Sequence, residues 1–156
     1  MGDQTVIRQA GEGQAFWMLG GLYEVLLSSD ETGGKSTVMQ LTMPAGVGPP
    51  PHSHAGTESL YVAEGTLNFH IAGKSIPAGP GSVFHIPPGT VENFEATSTV
   101  RVVATYSPGG IEKFFAEVGE PARARELPPP PDSPPDIGRI AEIGARYGVS
   151  VQQPSG

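Results

Sequence analysis

The chain has 156 residues, which suits one domain with a substantial hydrophobic core, and 37% of its residues are hydrophobic. Its formal net charge of −7, without any cluster of lysines and arginines, excludes an electrostatic attraction to nucleic acid. The absence of cysteine excludes disulfides, thiolate catalysis, iron–sulfur clusters and cysteine-type zinc sites.

Residues 1–120 are predicted to form short β-strands separated by glycine-containing turns. The β-type runs lie at 5–8, 14–19, 22–27, 36–43, 58–63, 66–71, 82–86 and 100–106. In the fourth run Met39, Leu41 and Met43 alternate with polar residues and therefore share one face. Short strands at this spacing, with no helix between them, predict an antiparallel sandwich or barrel.

A helix is predicted to follow the last strand and to complete the 1–120 unit. Ile111, Phe114, Phe115 and Val118 stand at the i, i+3, i+4 and i+7 positions of one helical face. Gly119 directly after them is well placed to end the helix.

The remaining chain divides into a proline-rich segment over 121–135, which we name the strap, and a helix with a tail over 136–156. Seven of the 17 prolines lie in the strap, which favours an extended conformation. Asp136 can cap a helix in which Ile137, Ile140 and Tyr147 share one face. We expect the strap to carry this helix back onto the barrel; a disordered tail is the alternative.

The residues that could carry chemistry cluster between 52 and 65. His52 and His54 stand at i and i+2, so on a strand their imidazoles point to the same face and can converge on one cation. Glu58 opens the next strand, on the same face as Leu60 and Val62. Two imidazoles and one carboxylate with open coordination positions are the arrangement used by non-haem iron and related divalent metals.

This segment resembles the first motif of the cupin family, G-x5-H-x-H-x3-E-x6-G. Gly46, His52, His54, Glu58 and Gly65 all fall in register with it. The resemblance implies an all-β fold, a cupin jelly-roll antiparallel barrel with short C-terminal helices.

The second cupin motif, G-x5-P-x-G-x2-H-x3-N, is matched in its first half and departs in its second. Gly81, Pro87 and Gly89 are in register, but Glu92 stands where the family has its third histidine and Ala96 where it has asparagine. The resemblance thus implies a metal held by His52, His54 and Glu58, with Glu92 as fourth ligand.

Such a donor set suits a divalent transition ion, with manganese, iron, nickel, cobalt and zinc as candidates. Two carboxylates would cancel the charge of the ion, which would then polarise a substrate less than a site with three histidines. Two alternatives remain open: Glu92 acts as a general base beside the metal, or the barrel holds no metal.

A finer resemblance, to small single-domain proteins of the quercetin 2,3-dioxygenase-like group, rests on residues 106–115 and 146–149. It implies a dioxygenase-type oxidation of a small aromatic or polyketide-like molecule, with Glu58 and Glu92 as catalytic residues and Glu58 moving the substrate proton. The alternatives are a non-redox isomerase, cyclase or lyase that uses the metal as a Lewis acid, and a cupin that binds a small molecule without turning it over.

The two other histidines are predicted to lie outside the ligand set. His85 is expected in the wall of the pocket, with replacement of a ligand as its alternative role, and His70 on the surface. The expected partners are a small-molecule substrate and a second copy of the chain in a homodimer, with no nucleic acid. No apolar run reaches the roughly 20 residues that span a bilayer, and the start of the chain lacks a secretory signal pattern, so we expect no membrane partner and a cytoplasmic location.

Overall fold

Two antiparallel sheets and two helices make up the fold in the computed structural model, which describes residues 4–152. In chain order the elements are β1 (Ala15–Met18), β2 (Gly21–Leu27), β3 (Thr37–Met43), β4 (His52–His54), β5 (Thr57–Glu64), β6 (Leu67–Ile71), β7 (Lys74–Ala78), β8 (Val83–Ile86), β9 (Glu92–Ala96), β10 (Val100–Ser107), α1 (Ile111–Val118), β11 (Glu120–Pro121), α2 (Ile137–Ala145) and β12 (Val149–Val151).

Seven strands form one sheet in the order β11-β1-β2-β3-β10-β5-β8, and five form the other in the order β12-β4-β9-β6-β7. Inward-facing side chains from both sheets belong to a single hydrophobic core. The predicted antiparallel all-β fold is confirmed, and the order shows that β4 and β5, which carry the first motif, belong to different sheets.

Alternation of apolar and polar residues explains why the central strands face the core as they do. Met39, Leu41 and Met43 on β3 are buried, and Leu60 and Val62 on β5 are buried as well. Both sets lie on the faces that the sequence pattern predicts.

The predicted strand at 5–8 is wrong, because that segment is irregular and is held by side-chain contacts. The Arg8 guanidinium donates to the carbonyl of Leu26 and to the Glu31 carboxylate. Conversely, β7, β9, β11 and β12 were not among the predicted strands. Three of them are at the edge of a sheet or only two or three residues long, so they carry no clear alternation.

Both predicted helices are present and both pack against the barrel. Ile111, Phe114 and Phe115 of α1 belong to the core, as do Ile140 and Ile143 of α2. The Asp136 carboxylate caps α2 by accepting a hydrogen bond of 3.0 Å from the backbone N–H of Arg139. The second helix is therefore docked, as expected, whereas the division into three units remains a prediction.

Over residues 4–152, neither helix has the length and apolar character needed to cross a bilayer.

Candidate metal centre

Four side chains from three strands meet at one point inside the barrel. His52 and His54 come from β4, Glu58 from the start of β5 and Glu92 from the start of β9. One donor atom from each lies within 4.8 Å of the others. The structure thus brings together all four residues predicted as metal ligands.

Strand register explains this convergence. His52 lies directly opposite Glu92 in the β4–β9 ladder, and Glu58 lies opposite Tyr106 in the β5–β10 ladder. Because side chains alternate along a strand, Glu92 shares the inward face of β9 with Phe94 and Ala96. The carboxylate that replaces the third histidine of the family therefore points at the two imidazoles.

The donor atoms are close together without being joined by hydrogen bonds. Nε2 of His54 is 2.8 Å from Oε2 of Glu58, and Nε2 of His52 is 3.1 Å from Oε1 of Glu92. Yet Nε2 of His54, Oε2 of Glu58 and both carboxylate oxygens of Glu92 are buried and have no hydrogen-bond partner.

Burying carboxylate oxygens without a partner is costly, and the four side chains are at most 12% exposed. The two carboxylates supply negative charge that a divalent cation would balance. The unpartnered oxygens and the mixed nitrogen and oxygen donor set therefore fit a divalent metal ion.

The contact of one ring nitrogen of His52 fixes which of its two nitrogens faces the centre. Its Nδ1 lies 2.8 Å from the carbonyl oxygen of Pro50, which can only accept, so Nδ1 carries the hydrogen and Nε2 is left for a metal. Burial lowers the pKa of this imidazole, but the Glu92 carboxylate raises it, and the balance is a pKa of about 9. A metal ion and a proton therefore compete for the same nitrogen.

Tyr106 is a site residue that the sequence reasoning did not assign. Its ring packs edge-on against His54, with the ring centroids 5.3 Å apart. Burial raises the pKa of its hydroxyl well above the usual value of 10, and the charge of Glu58 raises it further. The alternation of Val102, Ala104 and Tyr106 along β10 was the available signal, because it places the three on one inward face.

A small cavity of about 50 Å³ lies over the donor atoms. Apolar side chains form most of its wall, and they come from the barrel, from α1 and from the C-terminal segment; among them are Met18, Leu41, Met43, Phe94, Phe115, Ile140 and Val149. The cavity has room for a few atoms beside an ion, and its surface is mostly apolar.

The two remaining histidines lie outside the cluster. His85 is exposed on β8, where its Nδ1 is 3.1 Å from the Ser59 hydroxyl, so the expectation of a pocket-wall residue is wrong. The reason is that side chains alternate between the two faces of a strand, and on β8 the neighbours Phe84 and Ile86 take the less exposed face. His70 is half-buried on β6, on the face opposite Phe69, so it is less exposed than the surface position predicted for it, and it lies outside the cavity wall.

Comparison with known proteins supports the fold and the motif. Residues 39–106 match the family described as cupin domain. No match was found among curated protein sequences.

Solved structures with the same fold include several cupins. An RmlC-like cupin from Desulfovibrio desulfuricans is 26% identical with a TM-score of 0.55, covering 67% of this chain and 98% of its own. A predicted oxalate decarboxylase from Thermotoga maritima is 24% identical with a TM-score of 0.60, covering 67% and 99%. The polyketide cyclase RemF from Streptomyces resistomycificus is 20% identical with a TM-score of 0.53, covering 63% and 70%. Residues 39–106 therefore resemble a cupin domain, and the chain has the fold that these structures share.

Proposed function

We propose that the protein is a metal-dependent enzyme acting on a small molecule that carries oxygen donors. One observation carries the proposal: four donor atoms converge within 4.8 Å of one another, and three carboxylate oxygens of Glu58 and Glu92 are buried without a hydrogen bond. A purely structural cluster would be expected to satisfy those oxygens.

The ion would be held by His52, His54, Glu58 and Glu92. When bound, a divalent ion supplies Lewis acidity toward substrate oxygen and, in the case of iron or manganese, access to chemistry with O₂. The apolar wall keeps water away from the reacting atoms, which strengthens every charge interaction inside the cavity.

The two carboxylates are the candidates for moving a proton. Glu58 lines the cavity and its Oε2 is free of hydrogen bonds, so this carboxylate can accept a proton from a carbon next to a substrate carbonyl. Tyr106 lies across the ladder from Glu58 and stays neutral, which makes its hydroxyl a donor that can orient a bound oxygen.

Dioxygenase-type oxidation is the leading reaction. Two imidazoles and a carboxylate form the ligand set that non-haem iron oxygenases use, and iron held by His52, His54 and Glu58 would supply chemistry with O₂. The resemblance of residues 106–115 and 146–149 to the quercetin 2,3-dioxygenase-like group supports the same reaction, with Glu58 taking the substrate proton.

A non-redox isomerase, cyclase or lyase is the second candidate, and Glu92 favours it. A buried carboxylate in place of the third imidazole adds a second base beside the ion and weakens the polarisation that the ion exerts. Structures of the same fold include a polyketide cyclase and a predicted oxalate decarboxylase.

Metal analysis of protein purified without an affinity tag tests the site. We expect about one divalent ion per chain in the wild type and almost none in the double variant His52→Ala with His54→Ala. The double variant His70→Ala with His85→Ala is the matched control, because it removes two imidazoles outside the cluster and should retain the ion. Equal metal content in all three proteins would overturn the assignment.

Turnover under anaerobic conditions separates the reactions. A dioxygenase stops without O₂, whereas an isomerase, cyclase or lyase continues at the same rate. Binding of small molecules that does not depend on metal and leads to no turnover would instead favour a non-catalytic binding protein.

A further inference from the structure

A second and larger space adjoins the metal cavity. A groove of about 830 Å³ lies between the strap with the start of α2 on one side and the β1–β2 turn with residues 46–50 on the other. That volume lies within the range of sites for drug-sized ligands, whereas the cavity of about 50 Å³ holds only a few atoms.

Four side chains line both spaces: Met18, Leu19, Pro50 and Ile140. None of them is a proposed ligand; Pro50 orients His52 through its carbonyl, which leaves Met18, Leu19 and Ile140 as the boundary side chains that can move without disturbing an ion. Three other surface depressions share lining residues with the cavity, and each of them includes a proposed ligand, Glu92 in one and His54 in the other two. Of these four spaces, the groove is the one that meets the cavity without a proposed ligand at the boundary.

Leu19 lies at this boundary in a backbone conformation that is strained for a leucine. It is the first residue of the two-residue turn between β1 and β2, with φ +51°, and Gly20 follows with φ +80°. Such turns favour asparagine, aspartate or glycine, because a branched side chain is strained at positive φ. The Leu19 side chain nevertheless packs against the core, and this burial offsets the local strain.

The groove has the chemistry of a site for an uncharged, apolar body. Its lining includes Val47, Val118, Pro134 and Ile137, which offer apolar surface, and the buried indole of Trp17. Its ionisable lining residues are two acids and one base, Glu120, Asp136 and Arg139, all exposed at the rim. A net negative rim disfavours an anionic body.

Trp17 joins the strap to the groove. Its indole Nε1 donates 2.9 Å to the carbonyl of Glu126, and the Arg123 guanidinium lies 5.1 Å from the ring centroid. Both partners belong to the strap, so the strap is fixed to β1 along the wall of the groove.

We infer that this groove binds the body of the substrate, an apolar and ring-bearing group, while its oxygen-bearing end passes between Leu19 and Ile140 to the metal centre. This inference rests on the proposed function and names the class of substrate. It assigns substrate binding to the groove and a gating role to Leu19.

Two diketones of different size test the groove: benzoylacetone carries a phenyl ring on the oxygen-bearing unit, and acetylacetone lacks the ring. With the metal-loaded full chain, calorimetry should show benzoylacetone binding about tenfold tighter or more. Benzoylacetone alone should also change the emission of Trp17, the only tryptophan in the chain.

Ile137→Arg places a charge in the groove, and Val83→Arg places the same charge on exposed β8 as the matched control. The first should remove the advantage of benzoylacetone and leave acetylacetone unchanged; the second should change neither. If both diketones bind the wild type with equal affinity and Trp17 emission does not change, the groove is not the substrate site. The metal assignment would remain intact. Binding of benzoylacetone in the groove of a wild type that holds no metal would support the groove and refute the proposed function.

The gate is tested with glycine variants of two turns that share one geometry. Ala72 has φ +50° and precedes Gly73 in the turn between β6 and β7, as Leu19 precedes Gly20. Leu19→Gly and Ala72→Gly both relieve the strain, but only the first opens the boundary. We expect chelator to remove the metal about tenfold faster from Leu19→Gly and at the wild-type rate from Ala72→Gly. Equal rates, or a faster rate in Ala72→Gly alone, would refute the gate.

Discussion

Val149 pairs with His54 across the antiparallel ladder of β12 and β4. Three residue pairs join these strands, whereas one pair, His52 with Glu92, joins β4 to β9 on its other side. Backbone hydrogen bonds from Ala55 to Gly148 and from Gln152 to Pro51 extend the contact beyond both ends of β4. The C-terminal strand thus fixes the backbone that carries both imidazoles.

A chain ending after Gly148 should therefore bind metal more weakly although it keeps every proposed ligand. Loss of partners that orient metal ligands typically costs about 10–100-fold in affinity, and we expect a change in that range. A chain ending after Gln152 keeps β12 and is the control. Unchanged metal affinity after the shorter truncation would mean that β12 has no role in positioning the imidazoles.

Removing the whole C-terminal segment should also destabilise the barrel. A chain ending after Leu127 loses the buried side chains of Ile140, Ile143 and Val149, each worth about 1.5–3 kcal/mol in burial. We expect a clearly lower melting temperature or dissociation of a dimer, measured by calorimetry and by mass in solution. An unchanged melting temperature and mass would refute the energetic contribution of α2 and β12.

Two glycines of the cupin motifs should respond differently to alanine. Gly65 has φ +76°, and a Cβ there would lie 2.0 Å from the carbonyl oxygen of Thr99. Gly81 has φ +91° with no heavy atom within 4 Å of a Cβ. Gly81→Ala should cost about 1–2 kcal/mol in the free energy of unfolding, the price of the left-handed conformation, and Gly65→Ala clearly more. Equal losses in denaturant titrations would contradict the steric difference.

The Glu112 carboxyl makes the free energy of unfolding decrease at acidic pH. Burial raises the pKa of this carboxyl, but hydrogen bonds from Ser29 and Thr37 lower it more, so its pKa lies below the usual 4.5. A lowered pKa in the folded state stabilises the protein above pH 4.5, and this contribution is lost as the pH falls through the folded-state pKa.

The difference in unfolding free energy between wild type and Glu112→Gln should accordingly be largest above pH 4.5 and shrink toward more acidic pH. Thr37→Val removes one hydrogen-bond donor, so it should raise the pKa of Glu112. The stabilisation by Glu112 should then be lost at a higher pH than in the wild type. A difference between wild type and Glu112→Gln that stays constant from neutral to acidic pH would refute this role.

The sequence was sufficient to predict those strands that show a local alternation of apolar and polar residues. Alternation predicted β3, β5 and β10. Residue spacing predicted that His52, His54 and Glu58 converge, because two residues on β4 and one at the start of the next strand have only a few possible orientations. Glu92 was added to this set by the resemblance to the second cupin motif.

The rest depends on pairing between distant parts of the chain. No local pattern in the short β12 shows that it joins β4, and no pattern at Met18 or Leu19 shows that they border the metal cavity. His85 was misplaced for a related reason, since a four-residue strand between turns leaves its inward face undetermined by sequence.

Glu92 remains the most informative position, because both of its carboxylate oxygens are buried without a hydrogen bond and Oε1 lies 3.1 Å from Nε2 of His52. If it is a ligand, Glu92→Gln should weaken metal affinity, since the amide keeps the shape and loses the charge. Glu92→His should still bind metal, with its preference shifted toward nickel or copper and away from manganese.

Glu95→Gln is the matched control, because Glu95 lies on the exposed face of the same strand. Metal titrations of the three variants decide between ligand and base. Intact metal affinity in Glu92→Gln, with turnover slowed by about 10²–10⁴-fold, would make Glu92 the general base instead. If neither metal affinity nor turnover changes in either Glu92 variant, the four-ligand site is wrong, because a carboxylate at the centre of the cluster cannot lose its charge without affecting one of the two.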